Sequence, residues 1–343
     1  MEIVRQILRP HGLAVRDEAG VYLIVKAIPG ETPRPSPAAA AEPAQADIET
    51  VVVAASRYEI SRDISTSSFA IDQRTIQNMP DIGEDPIRVT QRLPGTAASG
   101  ASAVAHFRGG EANEIGIMLN GQWLFDPFHI RDYQNIFSAI DARAIEGVEV
   151  YTGGFPVRYG DRMSGLVLMD SLDSEKSRHT EIGLSVFNTS FLAAGRDNDS
   201  NWLFSARRGN LDLVIDSEYG KPSYFDVFGE YTFDVSPDAR LSVNALYADD
   251  EVEIVTESDP AELEQVTSDT RNAQLWLRLD SNWSPTLTSS TVLSMIEYKN
   301  RRDGSVNDPE KLIARVRDER DVSQYGIRQD WAWTPSDRHH MQW

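Results

Sequence analysis

The chain has 343 residues, 41% of them hydrophobic, so it can bury more than one folding unit. Its formal net charge of −20 excludes a phosphate backbone as a natural partner, because an acidic surface repels what Lys and Arg would have to neutralise. The lack of cysteine removes disulfides, zinc–thiolate sites and thiol nucleophiles together.

The opening EIVRQILRPHG has no basic segment leading into an apolar one, so no secretory signal is legible. No run approaches the roughly 20 apolar residues of a membrane-spanning helix. Residues 1–28 read as a short helix, a turn at His11 and Gly12, and the strands LAVRD and VYLIVKA joined through Glu18, Ala19 and Gly20. Such a unit buries too little surface to stand alone and reads as the remnant of a larger domain. Residues 29–47 contain five prolines among many alanines and form an extended linker. IETVVVAASR at 48–57 is then a run rich in β-branched residues with no turn and partner strand beside it, which points to a partner strand in another protein.

Residues 58–175 mix periods. Asp72 is a good N-cap for a short helix in IDQRTIQNM, and EDPIRVTQRLPG is a second short helix stopped by Pro94 and Gly95. In EIGIMLNGQWLF, Asn120 and Gly121 separate two apolar runs, a strong hairpin signal because both turn residues take positive φ. A helix near Ser138–Ala144 leads into the strand IEGVEV, the glycine-rich YTGGFPVRYGDRMSG and the strand LVLM. The segment is a small α/β domain threaded with glycine turns.

From about residue 176 the period becomes two. Phe225, Val227, Tyr231 and Phe233 alternate with Asp226, Glu230, Thr232 and Asp234; Leu241, Val243, Ala245 and Tyr247 alternate with Ser242 and Asn244. Ala273, Leu275, Leu277 and Leu279 stand opposite Gln274, Arg278 and Asp280, and Tyr325, Ile327, Trp331 and Trp333 opposite Arg328 and Asp330. Short polar turns alternate with long charged connections at 249–271 and 299–322. Strands of about ten residues with this alternation fit a transmembrane β-barrel, which satisfies every backbone donor between strands. A soluble β-sandwich or jelly roll alternates in the same way. Trp202, Trp283, Trp331, Trp333, Tyr247 and Tyr298 fall near strand ends, where an interface girdle needs them, and this favours the barrel. About nine strands lie near 180, 189, 201, 224, 240, 272, 289, 323 and 339.

ETVVVAA at 49–55, LPGTAAS at 93–99, FRGGEANEIGIMLNGQWLFDP at 107–127 and IEGVEVYTGGFPVRYGDRMSGLV at 145–167 resemble a TonB-dependent outer-membrane receptor from about residue 48 onward. The resemblance implies a mixed α/β plug domain at 58–175, followed at 176–343 by the N-terminal part of an antiparallel transmembrane β-barrel of about 22 strands. With nine strands the chain is expected to be a fragment, lying in the outer membrane with its N-terminal part periplasmic. It further implies that Ile48, Glu49, Thr50, Val51, Val52, Val53 and Ala54 form a TonB box that adds as a strand to TonB, driven by the ExbB–ExbD proton-powered complex. Residues 1–28 resemble the end of a periplasmic signalling-type domain.

The plug motif so implied comprises Arg108, Gly109, Gly110, Asn120, Gly121, Glu149, Gly153, Gly154, Arg158, Gly160 and Gly165. Arg108, Glu111, Arg158, Asp161 and Arg162 are expected to form ion pairs facing a polar lumen. Candidate substrate contacts on two apices, 100–106 and 122–133, are His106, Trp123, Phe125, Phe128, His129 and Arg131, with plug-core or lumen packing the competing role for each. The histidines make no i, i+4 or HExxH pattern, so no metal site is expected; ADDEVE at 248–253 could invite calcium but reads as a solvated acidic loop. No Walker motif, nucleophile elbow or paired-acid pattern marks an enzyme, and no cofactor is expected. The resemblance implies energised uptake of a scarce small molecule, foremost a ferric siderophore, with carbohydrate or cobalamin as rivals and signalling through an anti-sigma partner as the alternative.

Overall fold

The computed structural model describes residues 13–18, 21–26, 68–79, 83–131, 134–156, 158–214, 221–257, 264–308, 312–336 and 338–343. The chain divides into two units, Met1–Val51 and Val52–Trp343. In the first, β1 (Leu13–Glu18) and β2 (Val21–Lys26) pair antiparallel with Leu13 opposite Lys26, as the sequence predicts. The helix expected before them, the linker at 29–47 and the strand at 48–57, including Ile48 to Ala54, lie outside the described residues.

The second unit holds a plug and a large sheet. In the plug, β3 (Ser68–Asp72) runs into α1 (Gln73–Asn78), capped as expected by Asp72, whose side chain accepts from the Thr75 amide at 2.8 Å. The short strands β4 (Thr96–Ala98), β5 (Ala105–Phe107), β6 (Ile115–Leu119), β7 (Gln122–Trp123), β8 (Phe128–His129) and β9 (Phe137–Ser138) follow, and then β10 (Ile145–Tyr151) and β11 (Gly165–Ser171). The plug sheet has the order β3-β10-β11-β6-β7, with β6 parallel to β11 and the other pairs antiparallel.

Two of the expected plug helices are shorter than predicted. The second is a 3-10 turn over Arg88–Arg92, because Asp85 Oδ1 accepts from the Ile87 amide and i→i+3 bonds then carry the chain to Leu93. The helix expected at Ser138–Ala144 is reduced to a 3-10 turn, Ala142–Ala144. Ser138 instead belongs to β9, where its amide and hydroxyl donate to Asp85 at 2.6 and 2.8 Å. These tertiary bonds override local helix preference.

Nine antiparallel strands then form one sheet in chain order: β12 (His179–Leu184), β13 (Asn188–Asp197), β14 (Ser200–Gly209), β15 (Ser223–Ser236), β16 (Ala239–Glu257), β17 (Glu264–Ser284), β18 (Leu287–Asp308), β19 (Leu312–Ser336) and β20 (His339–Gln342). A short helix, α2 (Leu211–Val214), follows β14. All nine predicted strands are present, and the sheet is open, with β12 and β20 at its edges. The predicted length of about ten residues holds only for β13 and β14. The 25 residues of β19 extend about 80 Å, far beyond a hydrocarbon band of about 25 Å. The supposed long connections at 249–271 and 299–322 are therefore mostly strand, in register from Asp249–Arg271 to Glu257–Glu264 and from Lys299–Asp321 to Asp308–Leu312. Above the band both faces can be polar while the backbone ladder still pairs, so apolar alternation stops before the strand does.

The alternation is resolved in one direction. Val243, Leu277, Leu293 and Ile327 form a cross-strand row on the exposed face, while Asn244, Trp276, Val292 and Phe228 are buried on the other, against the plug. No described helix is long and apolar enough to cross a membrane, which says nothing of strands. At the short-turn end, Trp283 stacks on Trp331 at 5.9 Å and Trp331 on Trp343 at 6.3 Å. Trp333 and Tyr247 are also on the exposed face, as expected of a girdle. Tyr298 is a correction: it occupies an inward position and is buried, because its hydroxyl meets the plug.

Candidate functional site

The plug meets the inner face of the sheet through polar groups, and three of these contacts, taken in turn, hold the residues of interest. The first is the Asn120–Gly121 turn, whose φ values of 48° and 82° make it the predicted two-residue hairpin. Turning there carries the Asn120 side chain to the wall, where Nδ2 lies 2.8 Å from Asn244 Oδ1 on β16 and 3.0 Å from Glu230 Oε2 on β15. Its Oδ1 accepts from the Ser171 amide at 2.9 Å, tying the same side chain to β11.

The second contact is the segment Phe125–Arg131. Gln274 on β17 holds both the amide and the carbonyl of Phe125, at 3.2 and 2.9 Å, and Asn272 donates to the carbonyls of Phe125 and Asp126. Arg131 pairs with Asp126 at 2.5 Å and donates to the Tyr298 hydroxyl at 2.8 Å. Burial pushes the Asp126 carboxyl above the usual carboxylate range, against the pull of Arg131.

At the centre of this segment His129 is 0% exposed. Its Nδ1 is 2.6 Å from Asp250 on β16 and its Nε2 is 2.9 Å from Asp226 on β15. The ring stacks on Tyr224, centroid to centroid 4.4 Å. Arg207 on β14 backs Asp226 at 3.0 Å and donates to the Ser138 carbonyl. Burial alone would depress the imidazole, but the Asp250 and Asp226 carboxylates outweigh it, and the ring is pushed up to about 9.

The third contact is Arg143, which pairs with Asp141 at 2.7 Å within the plug and reaches Glu181 on β12 at 3.9 Å; Ser205 on β14 donates to Asp141. Among the described residues no group of three or more His, Cys, Asp or Glu side chains could hold a metal. Around His129 each carboxylate takes a different ring nitrogen, a hydrogen-bonding geometry.

The predicted substrate contacts separate accordingly. His129 is enclosed at the wall, which takes it out of reach of an outside ligand in this structure. Phe125 packs edge-on against Tyr298 at 5.1 Å, and half-buried Phe128 packs on the core. Trp123 lies edge-on to Tyr159 at 6.2 Å under the Arg162 guanidinium. His106 Nδ1 is 3.0 Å from the Gly110 carbonyl. Arg131, with Gln134 and residues 97–101, is exposed.

Of the expected ion-pair set, Glu111 forms a capping box with Glu114, Arg158 stands over Tyr159, Arg162 donates to the Asp161 carbonyl, and Arg108 lies against Gly153. Glu149, Gly153 and Gly154 lie in or just after β10, Gly160 in the following loop and Gly165 at the start of β11. The wall residues Arg207, Asp226, Asp250, Asn272 and Gln274 were missed as a site. Their signal was available, since each is a polar residue on the inward parity of its strand.

A polar plug is thus seated on one face of a nine-stranded antiparallel sheet whose other face carries an apolar, Trp-edged band, the arrangement of a plug domain against part of a β-barrel wall. Residues 61–167 match the family described as the TonB-dependent Receptor Plug Domain, so this part of the chain is a plug domain of that family. Solved structures agree in fold. They include the outer membrane transporter YddB from Escherichia coli, with TM-score 0.57 and 9% identity over 78% of this chain and 45% of that one. The ferric enterobactin receptor PfeA of Pseudomonas aeruginosa gives 0.56 and 13% over 78% and 46%, and the siderophore receptor PirA of Acinetobacter baumannii 0.53 and 15% over 78% and 45%. This chain thus spans about half the length of the structures it matches. No curated protein matches the sequence.

Proposed function

We propose that the protein takes up a scarce small molecule across the outer membrane, a ferric siderophore foremost, with TonB and the ExbB–ExbD complex supplying the work. The observation that carries this reading is the plug itself. A domain hydrogen-bonded to an inner wall through Asn120, Gln274 and His129 obstructs passive flow, so passage requires work on the plug. Ile48–Ala54 would add as a strand to TonB, where main-chain hydrogen bonds transmit force with little dependence on side chains. One of the neighbouring structures is a ferric enterobactin receptor by name and another a siderophore receptor, which supports the substrate class. The exposed rim of Arg131, Gln134 and residues 97–101 is the part of the plug on which a ligand would land.

A strain lacking the full-length gene, offered iron as a panel of labelled ferric chelates, is expected to lose uptake of one of them. Unchanged uptake of every chelate would remove the substrate class. Deleting residues 48–54 should abolish uptake while leaving cell-surface binding intact, and unchanged uptake would remove the TonB strand. A separate compact unit at Met1–Val51, with its own hairpin, supports a second reading as a signalling receptor acting through an anti-sigma partner. Loss of a reporter response without loss of uptake on deleting residues 1–28 would favour it.

A further inference from the structure

His129 occupies a position that transport by a plugged barrel does not require. Its ring joins three wall strands to one plug segment: Asp226 on β15, Asp250 on β16, and through Asp226 the guanidinium of Arg207 on β14. The charges balance only in one state. With an imidazolium there are two positive groups, His129 and Arg207, against the two carboxylates, and both ring nitrogens donate. With a neutral imidazole one nitrogen loses its proton and faces a carboxylate lone pair, and the buried cluster is left with an uncompensated negative charge, which is strongly unfavourable.

The other groups facing the ring do not substitute for that charge. Tyr224 stacks on it, and Asp85, reached through Ser138, already accepts from the Ser138 amide and hydroxyl. On the ring's own segment Asp126 and Arg131 pair with each other. The amide next to the ring, that of Ile130, also points at Asp250, at 3.4 Å.

We propose that protonated His129 is a latch between plug and wall, a single charge whose loss frees the segment Phe125–Arg131 from the strands that hold it. The consequence reaches the exposed rim, because Arg131 is the last residue of the latched segment and Gln134 lies three residues beyond it. Since the latch is a contact within the fold, it stands whether or not the ligand is an iron chelate.

These 343 residues contain no cysteine, so an introduced thiol is unique among them, and any cysteine elsewhere in the full-length protein is first replaced by Ser. A nitroxide spin label on Gln134→Cys, in the full-length protein in detergent micelles, reads rim mobility as pH is raised from 7 to 10.5. The mobile fraction is expected to rise several-fold with a midpoint near 9, while a label on wall residue Ser323→Cys keeps its line shape. In a His129→Gln background the Gln134 label should be mobile at pH 7 and show no transition; one that persisted there would come from another group and overturn the latch. An unchanged line shape in the parent background, or mobility rising equally at Ser323, overturns it as well. The parent titration decides alone if the His129→Gln variant fails to fold.

Discussion

Asn120 of the plug and Asn244 of β16 meet side chain to side chain at 2.8 Å, 124 residues apart in sequence, with Asn244 fully buried. One residue thereby serves the backbone and the interface together. Its φ of 48° turns the hairpin, and the turn presents its amide to the wall. Asn is suited to both, since it tolerates the left-handed region and carries donors.

Two substitutions separate these roles. Asn120→Gly keeps the turn and loses the wall contacts, which should cost about 1–3 kcal/mol through the partners left unsatisfied. Asn120→Ala loses the contacts and adds strain at positive φ, and should be worse by about 1 kcal/mol more. Urea midpoints in micelles check the order; equal stability of all three proteins would show that the side chain contributes nothing at the wall.

The strands of the wall were legible because lipid and lumen impose opposite polarities on a backbone of period two; every outward residue named from Phe225 to Trp333 lies on one face. Their length was not legible. Past Tyr247 and Ala273 the outward positions become Asp249 and Arg271, which pair at 3.1 Å across strands that a reading by polarity ends there. The plug hairpin was legible from two letters, whereas the helix expected from Ser138 fails because Asp85, 53 residues away, claims its amide. Tyr298 shows the limit of reading aromatics by position along a strand: parity, not nearness to an end, decides which side it faces.

The band edge can be measured directly. Leu277 faces outward mid-band, so Leu277→Arg should destabilise folding into lipid vesicles by about 2–4 kcal/mol. Thr267, ten residues further along the same strand and exposed, lies beyond the band, and Thr267→Arg should cost less than about 0.5 kcal/mol. Equal costs would place both in lipid and contradict the height assigned to the apolar row.

Gly110 tests the packing behind the plug motif. A Cβ built there would stand 2.3 Å from Ser164 Cβ, just ahead of β11, so the two segments approach more closely than any side chain allows. Gly110→Ala should therefore cost about 1–3 kcal/mol, read as a lowered unfolding midpoint. Adding Ser164→Gly removes the colliding atom and should restore part of the loss. If the double variant is no better than the single one, the close approach is not the cause.

The latch residue makes a separate prediction for stability against pH. His129 in the folded protein holds its proton up to about 9, above the 6.5 of a free imidazole. A raised folded pKa stabilises the fold fully below the unfolded pKa, and that stabilisation is lost as pH rises through the folded one. The advantage of the native protein over His129→Gln should thus be constant at and below pH 6, shrink between 6.5 and 9, and level off above, by on the order of 3 kcal/mol in all. Burial opposes the charge of Asp226 beside the ring, but the Arg207 guanidinium holds that carboxyl below the usual carboxylate range, so this neighbour does not titrate in the window. Denaturant midpoints of both proteins at pH 6, 7.5, 9 and 10 check it, and a gap that is flat or widens with pH would mean that the imidazole is neutral between Asp226 and Asp250.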